Sequence, residues 1–483
     1  MNKRIYQYAL GACLLTGAGA CTTQKELQLP ERKVTPVTTA PAADTITLAS
    51  FDRIFQDPYL KNLVDSALQN NYDLLAASRR ISAAQANLMM ARNAWLPSVN
   101  LSVTAGADHF ADYTMTGVGN FDTNKSPNIN EDQRVGTDLT PEYFVGIRSS
   151  WEIDLWGKLK QQRQATMARF LATSEARRLL TTQIVAGITS LYYELLAMDN
   201  ELAIIHRNIK LQETAVATVH IQKDAGRATE LAVQQFTAQL LSTQALEYGV
   251  KQEIASIENQ LNALMGRLPQ HIERSPVSDV VDSAYQPPVI PSGIPANLLL
   301  NRPDIQRAEL ELSATKADVK AARAAFFPGL TISPYAGFNA FKAGLLFKSP
   351  ASVAWGALGS ITAPIFNKKQ LKAQYNISTA NAYTAFYEYQ QAIVNGYQEV
   401  ATALNKVENQ QQTYSLKSKE VLVLQQAVST ANILFTTGYA NYLEVITAQK
   451  SVLEAELALV NTRKGMYQGL VSLYRSLGGS AAR

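Results

Sequence analysis

The second half of this chain repeats the first. Moving the sequence along itself by 231 positions superposes residues 70–106 on 301–337 without a gap, and thirteen of the thirty-seven positions are identical. They include Asn70/Asn301, Asp73/Asp304, Ala77/Ala308, Arg92/Arg323, Pro97/Pro328 and Gly106/Gly337. Helical composition can produce shared alanines, but it does not produce an ordered Asp, Ala-Arg, Pro and Gly series. A second echo, at 212 positions, matches Ala215-Val216 with Ala427-Val428, Gly226 with Gly438, Leu231 with Leu443 and Gly266 with Gly478. The chain is a tandem duplication, so whatever one copy builds, the other builds again.

Each copy runs in the same order: a helix, a strand pair, then two long helices. After Pro97, apolar Val99, Leu101, Val103 and Ala105 alternate with Asn100, Ser102, Thr104 and Gly106, which is the period of a strand. Tyr143, Val145, Ile147, Trp151 and Ile153 alternate with Arg148, Ser150 and Glu152 in the returning strand. The second copy repeats this with Leu330, Ile332, Ala336 and Phe338, then Val353, Trp355, Ala357 and Ile361. Apolar-out, polar-in strands of roughly ten residues are the mark of outer-membrane barrels. A soluble sandwich with one wet face is the competing reading of the strands alone.

The helical parts are too long for a globular domain. Ile184, Ile188, Leu191, Leu195, Met198, Leu202, Ile205 and Ile209 form a sustained heptad seam. Residues 368–435 hold no proline, and a helix of that length would reach about 100 Å. Small residues such as Ala380, Ala382 and Ala385 permit close side-by-side packing. Between the copies, residues 285–295 carry four prolines, which block helix and give a stiff connector. No segment holds eighteen uninterrupted apolar residues, so a membrane span must be made of strands. Four strands cannot close a barrel, and an open edge in lipid strands unpaired backbone groups. Several copies must therefore share one barrel, with their helices forming a second, coaxial wall.

The first residues address the chain to the envelope. Lys3 and Arg4 precede an apolar run over residues 8–15, then Thr16-Gly17-Ala18-Gly19-Ala20-Cys21, the pattern of a secretory signal peptide with its processing site. Small residues before Cys21 resemble the lipobox of bacterial lipoproteins, in which that thiol is acylated. An ordinary signal peptidase site is the alternative. Cys13 and Cys21 are the two cysteines, so the mature protein forms no internal disulfide. The expected organisation is a signal peptide over 1–20, a lipid-anchored flexible tether over 21–50 and a first repeat over 51–275, with strands at about 97–110 and 142–155. A Pro-rich connector follows over 276–296, then a second repeat over 297–483, with strands at about 328–340 and 351–364.

One block is specific enough to name a family. Asn297-Leu298-Leu299-Leu300-Asn301-Arg302-Pro303-Asp304-Ile305, with Ala308-Glu309 and then Ala321-Ala322-Arg323-Ala324-Ala325-Phe326-Phe327-Pro328, closely resembles the signature of TolC-like outer-membrane factors, in the lipoprotein branch typified by OprM and NodT. The resemblance covers essentially the whole mature chain. It implies a mainly α fold with β: a trimeric, twelve-stranded outer-membrane β-barrel with four strands per chain, continued by a long periplasmic α-helical barrel with an equatorial mixed domain. It also implies partners, namely a periplasmic adaptor and an inner-membrane pump of the RND type, and export of drugs or other toxic compounds. The signature block itself reads as architecture. Pro303 suits a helix's first turn, Asp304 complements the positive end of the dipole, Asn301 is the expected cap, and Pro328 ends the helix.

The gate is expected where the long helices turn, at Gly226 and Gly438, since glycine tolerates the left-handed conformation that ends a helix. Leu443, Glu444 and Thr447 follow within about one turn. The resemblance makes Leu443 an apolar ring and Glu444 a carboxylate ring at the periplasmic aperture, while Thr447 departs from a family position where Asp is frequent. Glu444 would then be the principal anionic ring; a solvated helix face is the other reading. No enzyme is expected: among His109, His206, His220 and His271 there is no metal or catalytic spacing, and Ser313–Lys316 matches SxxK by chance inside the duplicated helix. No cofactor and no metal is implied. With a formal charge of +4, nothing points to nucleic acid. The rival classes are a periplasmic adaptor lipoprotein, which carries one helical hairpin and no duplicated strand pairs, and an envelope hydrolase.

Overall fold

A computed structural model describes residues 27–30, 55–135, 139–276 and 301–479. The expected signal peptide, the anchor Cys21, most of the tether and the connector beyond residue 276 lie outside the described residues. The elements in chain order are α1 (Pro58–Asn70), α2 (Tyr72–Asn93), β1 (Ser98–Asp108), α3 (Met115–Lys125), β2 (Thr140–Ile153), α4 (Lys158–Asp224) and α5 (Glu230–Leu264). There follow α6 (Pro303–Ala324), β3 (Gly329–Ala340), β4 (Val353–Thr362), α7 (Lys368–Thr437) and α8 (Tyr442–Ser476). Two compact units divide these residues. One holds Ala84–Phe170 and Glu311–Phe386 with residues 27–30; the other holds residues 55–83, Leu171–Leu310 and Tyr387 onward.

The first unit is built on an antiparallel sheet of order β1-β2-β3-β4. Its register aligns Leu101, Ile147, Ala336 and Trp355 in one row across all four strands, and Val103, Val145, Phe338 and Val353 in the next. On that face Leu101 is 77% exposed, Val103 70%, Trp355 80% and Ile361 75%. A continuous apolar face this bare is what lipid, rather than water, accepts. No helix among the described residues is long and apolar enough to cross a membrane.

The opposite face carries Asn100, Ser102, Thr104, Arg148 and Asn339, and one fully buried ring. Phe144 lies over a shelf formed by Gly146 and Gly337, where added Cβ atoms would come 2.8 and 3.0 Å from its Cζ. Tyr335 meets the ring edge-on at 6.2 Å and the Arg148 guanidinium covers it at 4.5 Å. Pro334 has no N–H to give, and the β2–β3 ladder lapses opposite it before resuming at Trp151 and Ile332. Beyond the strand ends, Lys348 bonds Asp132 at 2.9 Å, joining the segment after β3 to the segment between β1 and β2. That bond to Lys348 holds the Asp132 carboxyl below the ordinary carboxylate range.

In the second unit the heptad seam of α4 is buried as its spacing predicts. Ile188 and Leu195 are fully covered, and Ile184, Met198, Ile205 and Ile209 nearly so. Ile184, Ile188, Leu195 and Met198 pack with Tyr192, Ile257, Leu261, Met265, Leu60 and Tyr474 into one core. Asp57 fastens the start of α1 to this core: its carboxylate accepts from the Tyr59 amide, the Tyr192 hydroxyl and the Ser275 hydroxyl. Burial pushes the Tyr192 phenol upward, so it stays a donor to that carboxylate.

Candidate gate and helix-anchoring site

The duplicated glycines are the residues at which α4 and α7 end. Gly226 has φ +70° and Gly438 φ +85°. At each, the following two amides fold back on one carbonyl: Arg227 and Ala228 donate to Gln222 O, and Tyr439 and Ala440 donate to Leu434 O. The next helix then starts from a side-chain cap. Thr229 accepts from the Ala232 amide, and Asn441 accepts from the amides of Leu443 and Glu444 at 2.9 and 3.2 Å. Four residues therefore reverse the chain twice, by the same local chemistry.

The expected gate residues share one bare side of the first turns of α8. Leu443 is 54% exposed, Glu444 and Thr447 are exposed, and Val445 and Gln449 on the other side of the helix are buried. Leu231, the repeat mate of Leu443, has the same 54% exposure at the start of α5. Behind them Val219, Ala232, Val233, Phe236 and Val445 form a small core, with Phe236 and Phe435 rings 6.5 Å apart. The tips are thus rigid from within and present an apolar and a carboxylate side chain outward.

The signature block folds into a joint between helices. Arg302, only 4% exposed, sends Nη1 to the Ser476 carbonyl at 2.7 Å and Nη2 to Asp304 and Glu399 at 2.7 and 2.8 Å. Desolvation opposes the charge, yet the two carboxylates outweigh it and hold the guanidinium above its usual pKa. Asp304 Oδ1 also accepts from the Ile305 amide, satisfying a donor in the first turn of α6. Pro303 is the first residue of α6, so the cap position falls on Arg302 and not, as expected, on Asn301. Proline forces its predecessor out of the helical region, which fixes the boundary there. The first repeat builds the same joint without charge: Asn71 caps α2 through the Leu74 amide and donates to the Leu264 carbonyl at 2.8 Å. Arg323 lies in the last turn of α6, where a cation suits the helix dipole. The Pro328 carbonyl accepts from Trp156 Nε1 at 2.8 Å, and that indole stacks on Phe327.

A polar ladder between α4 and α8 escaped the sequence reading. Glu456, nearly buried, takes Arg207 at 2.9 Å, Gln425 at 2.8 Å and Asn208 at 3.4 Å. Further along, Asn461 donates to Glu201 at 2.9 Å and Lys464 reaches Glu194 at 3.4 Å. Burial lifts the Glu201 carboxyl above its ordinary value, countered by Lys464 and Asn461. Glu201 and Asn461 are 260 positions apart, and no local pattern pairs them.

Comparison with known proteins places this geometry. The model of the family described as "Outer membrane efflux protein" matches residues 63–267 and 294–479. The cation efflux system protein CusC of Escherichia coli (strain K12) is 28% identical over 441 residues, which cover 91% of this chain and 90% of CusC. The probable outer membrane lipoprotein SilC of Salmonella typhimurium is 26% identical over 441 residues, 91% of this chain and 90% of its own length. The solved outer-membrane channel OprN superposes with a TM-score of 0.80 at 26% identity, covering 95% of this chain and 99% of that one. These matches run through both repeats, both strand pairs and all four long helices, which an adaptor does not have. The chain belongs to the outer membrane efflux protein family, whose members are transport proteins rather than enzymes, and is a channel subunit of the outer membrane.

Proposed function

We propose that three copies of this chain close one twelve-stranded barrel and continue it as a helical duct, through which drugs and other toxic small molecules leave the cell passively. The duct works in a tripartite system, docked through a periplasmic adaptor to an inner-membrane pump of the RND type; the chain itself supplies no catalysis. The observation that carries this reading is the four-stranded sheet of the first unit, bare and apolar on one face and ending in two edge strands, β1 and β4. Four strands are too few to close, and closure by several copies removes the edges. The test is native mass spectrometry of detergent-purified protein combined with planar-bilayer recording. A trimer that conducts is expected; a monomer with its β-structure intact overturns the reading.

The same reading places a lipid on Cys21 and a resting gate at the α8 tip. Support for the lipid comes from the small residues before Cys21 and from the description of SilC as a lipoprotein. Intact-mass analysis of the mature protein checks it, and an unmodified amino terminus at any other residue ends it.

A further inference from the structure

The duplication fixes which residues of neighbouring subunits face each other across the barrel seam. β1 and β3 begin 231 positions apart, at Ser98 and Gly329, which is the offset of the sequence repeat. Leu101 faces Ile147, and its repeat mate Ile332 faces Gly359. Ile147 and Gly359 are therefore repeat mates, 212 positions apart. The same displacement separates Gly226 from Gly438 and Gly266 from Gly478, so strands and helices obey one repeat.

Within the chain, the seam between the two hairpins sets Ile147 opposite Ala336. Strands of a closed barrel tilt alike around the whole circumference, and tilt is set by stagger. The stagger at a seam between chains must then copy the stagger at the seam within a chain. The mate of Ile147 is Gly359 and the mate of Ala336 is Ala105. Resting on the three-chain reading above, we infer that β4 of one subunit pairs antiparallel with β1 of the next, Gly359 opposite Ala105 of the partner subunit, Ser360 opposite the partner's Thr104, and Ile361 opposite the partner's Val103.

Side-chain chemistry checks the assignment independently. Ile361 and Val103, 75% and 70% exposed in the single chain, fall on the same lipid-facing side. Ser360 and Thr104 fall together on the polar side. A slip by one residue would turn every outward apolar side chain of the added strand inward. A slip by two would keep the faces and break the uniform stagger, so the test must resolve steps of two.

Paired cysteines in the full-length chain, expressed in a Gram-negative outer membrane, make that test. One variant carries Thr104→Cys with Ser360→Cys, another Ala105→Cys with Gly359→Cys. Adjacent antiparallel pairs alternate between close and wide spacing, so one of the two has the favourable separation. Slipped controls carry Thr104→Cys with Leu358→Cys, or Thr104→Cys with Thr362→Cys. β1 and β4 of one subunit are three strand spacings apart, roughly 14 Å, too far for a bridge within the chain. After mild oxidation, a reducible covalent trimer is expected from an in-register variant, with the slipped controls and the single-cysteine variants remaining monomeric on a denaturing gel. Cross-linking confined to a slipped pair overturns the register while leaving the trimer standing. So does a native-mass trimer that no pair cross-links. A native-mass monomer for parent and variants alike sinks the three-chain reading itself.

Discussion

Arg302 Nη1 donates to the Ser476 carbonyl at 2.7 Å, tying the residue before α6 to the last turn of α8 across 174 positions. The same guanidinium pairs with both Asp304 and Glu399, so one buried cation closes a helix end and holds two acids. Arg302→Met removes the donor to the Ser476 carbonyl and leaves Asp304 only the Ile305 amide and Glu399 only the longer contact to Arg475, at 3.8 Å. Breaking a buried pair costs several kcal/mol, and the partial exposure of both acids reduces the expected loss here to about 2–3 kcal/mol. Arg302→Lys restores charge without the fork and recovers less than half. The thermal midpoint of the detergent-solubilised protein reads both; equal stability of the Met variant and the parent refutes the assignment.

At the helix reversals, strain and space separate two kinds of glycine. Nothing lies within 4 Å of a Cβ placed on Gly438, so Gly438→Ala carries only the left-handed backbone penalty, about 1–2 kcal/mol. Gly266 has φ +67°, and its Cβ would stand 2.6 Å from the Asn70 carbonyl oxygen. Gly266→Ala is therefore expected to be the more damaging of the two. Hydrogen exchange should loosen residues 434–442 in the first variant and the Asn71–Leu264 joint in the second.

The buried Glu201 predicts an unusual pH response. Its carboxyl sits above the ordinary value in the folded state, chiefly through desolvation. The stability it contributes is thus complete below the unfolded-state value, near 4.3, and is lost as pH rises through the higher folded value. At neutral pH the ionised group is a net cost. Glu201→Gln, which can still accept from Asn461, should raise the thermal midpoint at pH 7 and give no advantage below about pH 4. A lower midpoint at pH 7 would mean that pairing with Lys464 outweighs burial.

Glu444 is the place to look for selectivity. With Thr447 uncharged one turn on, Glu444 is the exposed carboxylate that the first turns of α8 bring to the proposed aperture, and a narrow ring of like charge concentrates counter-ions. Glu444→Gln should reduce cation preference or raise conductance in single-channel recordings. Unchanged selectivity and conductance would move the constriction elsewhere and leave Glu444 as a solvated helix residue.

The legible part of the chain was the part written in short-range pattern. Alternation over Val99–Ala105 marked a strand with one apolar face, the heptad seam of α4 marked a buried stripe, and Gly226 and Gly438 marked reversals. Each follows from backbone geometry within a few residues. The start of α6 at Pro303 was less legible: the Arg302 carbonyl accepts the first bond of the helix, from the Gln306 amide, one position after Asn301.

Sequence by itself determined the duplication, the strand and helix periods and the turns, because these depend on steric and hydrogen-bonding preferences of neighbours in the chain. Only the tertiary structure decided that Arg302 finds Glu399 and Ser476, that Phe144 rests on Gly146 and Gly337, and that Glu456 gathers Arg207, Asn208 and Gln425. Apart from Gly146, which shares a strand with Phe144, those partners lie tens to hundreds of positions apart, and packing of whole elements, rather than any local preference, brings them into contact.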